Sequence, residues 1–153
     1  ASDAPATRAD GPLLLVVDDS LTTRTLVTGI LQSEGFRVLV AADGQQGLEL
    51  ARTEGLVGIV SDLQMPVLDG LGFLEKLRED PLTEALPFVL LTSIDDVATF
   101  EKASALGADR CLGKQNFSQD LLMKTLRELL PQAKPSAQLP GEVKPRLTGG
   151  TEV

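Results

Sequence analysis

The chain has 153 residues, a formal net charge of −8, one cysteine and no histidine, tryptophan or tyrosine. Without histidine it can neither use an imidazole for acid–base work nor carry a phosphohistidine. With one cysteine it can form no disulfide or cysteine metal cluster within the chain. The acid excess lies between Leu13 and Leu130, where ten Lys and Arg stand against eighteen Asp and Glu, so nucleic acid is a poor partner and a divalent cation or basic surface a better one.

The length suits one domain with short extensions. No run approaches the roughly 18 apolar residues of a membrane span, and no secretory signal is visible, so a cytoplasmic protein without a membrane partner is the default expectation. Residues 1–12 lack apolar periodicity and read as a disordered linker. Residues 131–153 hold Pro131, Pro135, Pro140 and Pro145 and read as a disordered tail. The start at Ala1 rather than Met suits a piece of a longer protein.

Between these ends, 13–130 alternates. Leu13 to Val17 is a continuous apolar run, the mark of a buried strand. Ser20 caps a helix over about 21–34, with Leu21, Leu26, Val27, Ile30 and Leu31 expected on one face and Gly35 at its end. Phe36 to Val40 is the second strand. Asp43-Gly44 leads into a helix with Leu48 and Ala51 inward. Leu56 to Ser61 is the third strand, followed by Asp62, Pro66 and Asp69-Gly70. A helix then carries Leu71, Phe73, Leu74 and Leu77. Asp80-Pro81 breaks it. Phe88 to Thr92 is the fourth strand, and Asp95-Asp96 opens a weakly patterned helix with Val97, Phe100 and Ala103. Cys111-Leu112 is a minimal fifth strand, with Cys111 expected as a small core hydrophobe. Asn116, Phe117 and Ser118 lead into an amphipathic helix with Leu121, Leu122, Leu126, Leu129 and Leu130.

A strand and a helix repeated five times, with no hairpin signal, call for an α/β doubly wound parallel sheet. The flavodoxin-like (βα)5 arrangement with strand order 2-1-3-4-5 fits, and its ligand crevice lies at the carboxyl ends of strands 1 and 3. Taken alone, Asp62 reads best as a helix cap. That strand order, however, brings Asp18 and Asp19 beside Asp62, with Thr92 at the end of strand 4 and Lys114 at the end of strand 5. Three adjacent carboxylates repel one another, and a hard cation such as Mg²⁺ resolves the conflict. The chemistry then readable is phosphoryl transfer to Asp62. Asp18, Asp19, Asp62 and the backbone carbonyl of Gln64 hold Mg²⁺, while Lys114 and the Thr92 hydroxyl meet phosphoryl oxygens.

At these residues the sequence resembles the response regulator receiver domain family over 13–130. The motifs are Val-Asp-Asp-Ser (17–20), Ser-Asp-Leu-Gln-Met-Pro-Val-Leu-Asp-Gly (61–70), Leu-Thr-Ser (91–93) and Leu-Gly-Lys (112–114). The resemblance implies a phosphodonor domain of a histidine kinase as partner, Asp62 as acceptor and self-catalysed hydrolysis, rather than a classical enzyme. Asp-Asp-Ser-Leu-Thr-Thr-Arg-Thr-Leu (18–26) and Lys-Gln-Asn-Phe-Ser-Gln-Asp-Leu-Leu (114–122) look like receivers fused to chemotaxis-type hybrid histidine kinases, which implies a chemotaxis-type or other signalling protein downstream. Two positions depart from the family. Gln115 replaces the usual proline, and Cys111 replaces the aromatic switch residue, so the output should differ. Ile94, two residues past Thr92, offers nothing to orient water, so slow loss of the phosphoryl group is expected. Two rival readings remain: a phosphorylation-independent pseudo-receiver, and a haloacid-dehalogenase-like phosphatase, whose Asp-x-Asp after strand 1 is missing here.

Overall fold

The structure, a computed structural model, describes residues 11–53, 55–93 and 97–130. In chain order the elements are β1 (Leu13–Val17), α1 (Leu21–Ser33), β2 (Arg37–Ala41), α2 (Gly44–Ala51), β3 (Leu56–Ser61), α3 (Gly70–Glu79), β4 (Phe88–Thr92), α4 (Val97–Ala105), β5 (Arg110–Gly113) and α5 (Gln119–Leu129). A short 3-10 turn, Lys114–Asn116, follows β5. All strand pairs are parallel, in the order β2-β1-β3-β4-β5. This is the flavodoxin-like topology, and the chain crosses over after β1 and again after β2 to leave β1 and β3 side by side.

Alternation along β1 sorts the core into two layers. Leu13, Leu15 and Val17 pack with Ala51, Phe73, Leu74, Leu77 and Ala103, from α2, α3 and α4. Leu14 and Val16 point the other way, onto Val27 and Leu31 of α1 and Leu122, Met123 and Leu126 of α5. Successive strand residues face opposite sides of a sheet, so a strand covered on both faces has to be apolar throughout. Among the described residues, four helices begin on a side-chain oxygen that takes a free amide of the first turn: Ser20 from Thr23, Asp43 from Gln46, Asp69 from Gly72 and Ser118 from Leu121. Asp69, not Asp62, caps α3, which leaves the Asp62 side chain for other work.

Several expectations need correction. Leu21 and Leu26 are 68% and 53% exposed, whereas Val27 and Leu31 are buried. At about 100° per residue, Leu21 and Leu26 fall on opposite flanks of the Val27–Leu31 centre, too far round for one face. Val97 is also exposed, and Ala103 is the only fully buried residue of α4. β5 is four residues long rather than two, and Cys111 within it is half-buried. Burial pushes its thiol pKa up. Gly11 and Pro12, read above as linker, are tied to the sheet: the Arg37 amide donates to the Pro12 carbonyl at 2.8 Å and its guanidinium to the Gly11 carbonyl at 2.8 Å. The expectations placed on 1–10, on Ile94 and Asp95-Asp96, and on 131–153 lie outside the described residues. No described helix is long and apolar enough to cross a membrane.

The amino-terminal edge of the sheet is closed by Arg78 at the end of α3. Its guanidinium donates to the carbonyls of Glu84 (3.1 Å), Leu86 (2.8 Å) and Gly107 (2.7 Å) and faces Asp109 at 3.4 Å. Asp109 in turn accepts from the Phe88 amide at 2.8 Å. Burial pulls the Arg78 pKa down, and the negative charge of Asp109 opposes that pull.

Candidate functional site

The opposite, carboxyl-terminal edge carries the predicted residues. Val17 pairs with Ala41 on one side and with Ser61 on the other, so β1 and β3 end level. The residues just beyond, Asp18 and Asp62, are therefore neighbours, and both are buried. Asp19 is exposed. One carboxylate oxygen from each of Asp18, Asp19 and Asp62 lies within 4.8 Å of the others. Thr92, fully buried, pairs with Gly113 across β4 and β5. Lys114, opening the 3-10 turn, reaches back across the strand ends. Its ammonium is 3.0 Å from Asp18 Oδ2 and 3.5 Å from Asp62 Oδ1. The expected Lys114–Asp62 pairing is thus shared, with Asp18 the nearer partner. Gln64 is exposed on the β3–α3 loop, and Gln115 is exposed beside Lys114.

Asp62 is held by its own loop. Its Oδ1 accepts the Leu63 amide at 2.8 Å, and its amide donates to the Val17 carbonyl at 2.8 Å. Its carboxyl pKa is pushed above the ordinary 3.8, first by burial and then by the charge of Asp18; Lys114 and the Leu63 amide oppose this without overcoming it. The loop beyond is tight. The Leu68 amide donates to the Pro66 carbonyl at 2.7 Å across Val67, whose φ is +71°. That is a γ-turn at positive φ, an unusual conformation for a β-branched residue. The Leu68 carbonyl accepts the Gly44 amide at 3.1 Å, and the Gly70 amide donates to the Leu63 carbonyl at 2.7 Å. A Cβ on Gly70 would overlap the main-chain oxygen of Asp62, so α3 can start this close to Asp62 only with glycine there.

Sequence reading missed two contacts. The Asp18 carbonyl accepts from the Arg24 guanidinium at 2.8 Å, and Asp18 Oδ1 accepts the Ser20 amide at 2.8 Å. The only signal for the first was an arginine six residues past Asp18, on the turn of α1 that points back toward the loop.

The donor set suits a hard divalent cation. It is three carboxylates with no nitrogen or sulfur ligand, and burial together with the charge of Asp18 disfavours the ionised form of Asp62. A doubly wound sheet with an acidic cluster and a lysine at its switch point defines the class: a flavodoxin-like α/β domain with its site on the carboxyl edge. Comparison then names the family. The family model of the response regulator receiver domain matches residues 14–127, and the chain belongs to that family. A probable chemotaxis protein CheY of Rhizobium etli is 37% identical over 102 residues, 66% of this chain and 79% of that one. The probable transcriptional regulator ycf27 of Cyanophora paradoxa is 36% identical over 117 residues, 76% of this chain, and the chain spans only about half (47%) of that relative's length. Among solved structures, the receiver domain of the sensor histidine kinase PA1611 of Pseudomonas aeruginosa, with a magnesium ion coordinated in its active site cleft, has a TM-score of 0.72 at 28% identity, covering 78% of this chain and 97% of that one. This membership sets aside the haloacid-dehalogenase-like rival.

Proposed function

We propose that the chain is a phosphoacceptor: it takes a phosphoryl group from a phosphohistidine of a histidine kinase onto Asp62 and loses it by hydrolysis. The observation that carries the reading is a buried Asp62 with its pKa pushed up, in reach of Lys114 and of two further carboxylates. In the transfer, a carboxylate oxygen of Asp62 bonds to phosphorus as the phosphorus–nitrogen bond to the donor imidazole breaks. The product is an acyl phosphate, and the electron pair leaves with the imidazole. Asp18, Asp19 and Asp62, with the Gln64 carbonyl, are the groups that would hold Mg²⁺, which when bound neutralises charge on the transferring group.

The residues of the chain do the rest. The Leu63 amide fixes Asp62 Oδ1, leaving Oδ2 the freer oxygen. Lys114 stands between Asp18 and Asp62 and follows the charge to a phosphoryl oxygen once it arrives. The Thr92 hydroxyl, on the neighbouring strand end, supplies a further donor. Coupling onward runs through the β4–α4 region, since α4 buries only Ala103 fully and a lightly packed element shifts most readily. Cys111, half-buried where an aromatic ring would otherwise respond, turns the output away from an aromatic switch. The Asp18–Leu26 stretch supports a chemotaxis-type setting fused to a histidine kinase.

The test is incubation with acetyl phosphate and Mg²⁺, followed by intact mass. The wild type gains one phosphoryl group, and Asp62→Asn gains none. A wild type that stays unmodified would overturn the reading in favour of a phosphorylation-independent module.

A further inference from the structure

Arg24 plays no part in the reading above. It is half-buried on α1, and its Nη1 lies 2.8 Å from the Asp18 carbonyl oxygen. Asp18 is held at every polar atom it owns. Its amide donates to Ala41, Oδ1 accepts from Ser20, Oδ2 faces Lys114, and its carbonyl accepts from Arg24. Asp19 is the reverse: it is exposed, and among the described residues no hydrogen bond or ion pair fixes its carboxylate. One peptide plane joins the two residues, and its oxygen is the atom Arg24 grips. A peptide unit is rigid, so fixing its oxygen sets the direction in which the chain enters Asp19.

We propose that Arg24 is a positioning residue that orients the Asp18–Asp19 peptide and so keeps the Asp19 carboxylate beside those of Asp18 and Asp62 for a shared cation. The proposal rests on the reading of that cluster as a Mg²⁺ site. A guanidinium suits the task, being permanently charged, planar and able to make a charge-assisted bond to a carbonyl. If Arg24 acted only as a nearby positive charge, it would repel a dication, and its removal would tighten binding. The sign of the change therefore separates positioning from plain electrostatics.

The experiment is calorimetric titration of Mg²⁺ into the wild type, Arg24→Met and Arg24→Lys, with metal-free melting curves to fix a temperature at which all are folded. Arg24→Met should bind about tenfold more weakly, the lower end of what loss of a supporting contact behind a metal ligand does. Arg24→Lys keeps the charge and a donor and should recover most of the affinity. Arg24→Gln, neutral and shorter, stands in for the methionine variant if that does not fold. Equal or tighter binding by the neutral variant overturns the proposal, and so does a lysine variant as weak as the neutral one. A wild type that itself takes up no Mg²⁺ overturns the cation reading and this proposal with it; a wild type that binds beside an unaffected neutral variant overturns this proposal alone.

Discussion

The two edges of the sheet use the same kinds of residue to opposite ends. At the amino edge, Arg78 meets three carbonyls and Asp109, and Asp109 is bound again by the Phe88 amide. Both of these charges have a partner of opposite sign and a dipole. At the carboxyl edge, three carboxylates cluster, Lys114 meets only Asp18 and Asp62 of them, and the Asp62 pKa is pushed up by burial and by Asp18. Buried charge stabilises a fold only when it is fully paired. The Arg78–Asp109 pair comes close to that condition by itself, and under the proposed function the carboxyl edge would meet it with a bound cation. The proposed function would thus divide stability and chemistry between the ends of the same five strands.

Breaking the amino edge should have the largest effect. Arg78→Met strands the carbonyls of Leu86 and Gly107 and leaves Asp109 without its cation, which should cost about 3 kcal/mol in urea denaturation. Mg²⁺ affinity should stay unchanged wherever the variant is folded; a parallel loss of affinity would mean the two edges are coupled. At the carboxyl edge the sign reverses. Asp62→Asn should melt several degrees higher than the metal-free wild type at neutral pH. A carboxyl pKa raised by folding opposes folding above the raised value, and that penalty fades as pH falls toward 3.8. The gap should therefore close in acid, and added Mg²⁺ should narrow it at neutral pH. A wild type that melts higher without metal would contradict the contrast.

Val67 tests whether strain also gathers at this edge. Its side chain is 80% exposed and its φ is +71°. Val67→Asn, which tolerates positive φ better than a β-branched residue, should therefore gain about 1 kcal/mol in urea denaturation. The smallest effect should come from Arg52→Met. The Arg52–Asp80 pair, at 2.5 Å, lies at the amino edge too, but the Arg52 side chain is 60% exposed. Solvent screens such a pair, and its loss should leave the urea midpoint nearly unmoved. A marked drop would show that charge pairing alone, without burial, steadies that edge.

The sheet was legible because its interior strands are covered on both sides. Leu13–Val17, Leu56–Ser61 and Phe88–Thr92 are apolar runs ended by a polar residue, and sequence bounds and observed bounds coincide there. The acidic cluster was legible at one remove, since strand order alone brings Asp18 and Asp62 together. Edge features were harder. β5 is short and half-exposed, so only its two central residues showed a pattern. The apolar side chains of α1 spread too widely for periodicity to tell Leu26 from Leu31. Arg24 and Arg78 could not be read at all, because a guanidinium bound to main-chain carbonyls leaves no periodic trace. Nor could the preference of Lys114 for Asp18 be read, since it depends on how the strand ends splay.

Gly70 has one more consequence. Any side chain there would push against the main-chain oxygen of Asp62. Every single-base change in a glycine codon that alters the residue adds at least a methyl group. Each such change at position 70 therefore meets the Asp62 main chain, although Gly70 brings no side chain of its own to the carboxylate cluster. A lineage that kept Asp62 while changing this glycine would have to rebuild the start of α3 first.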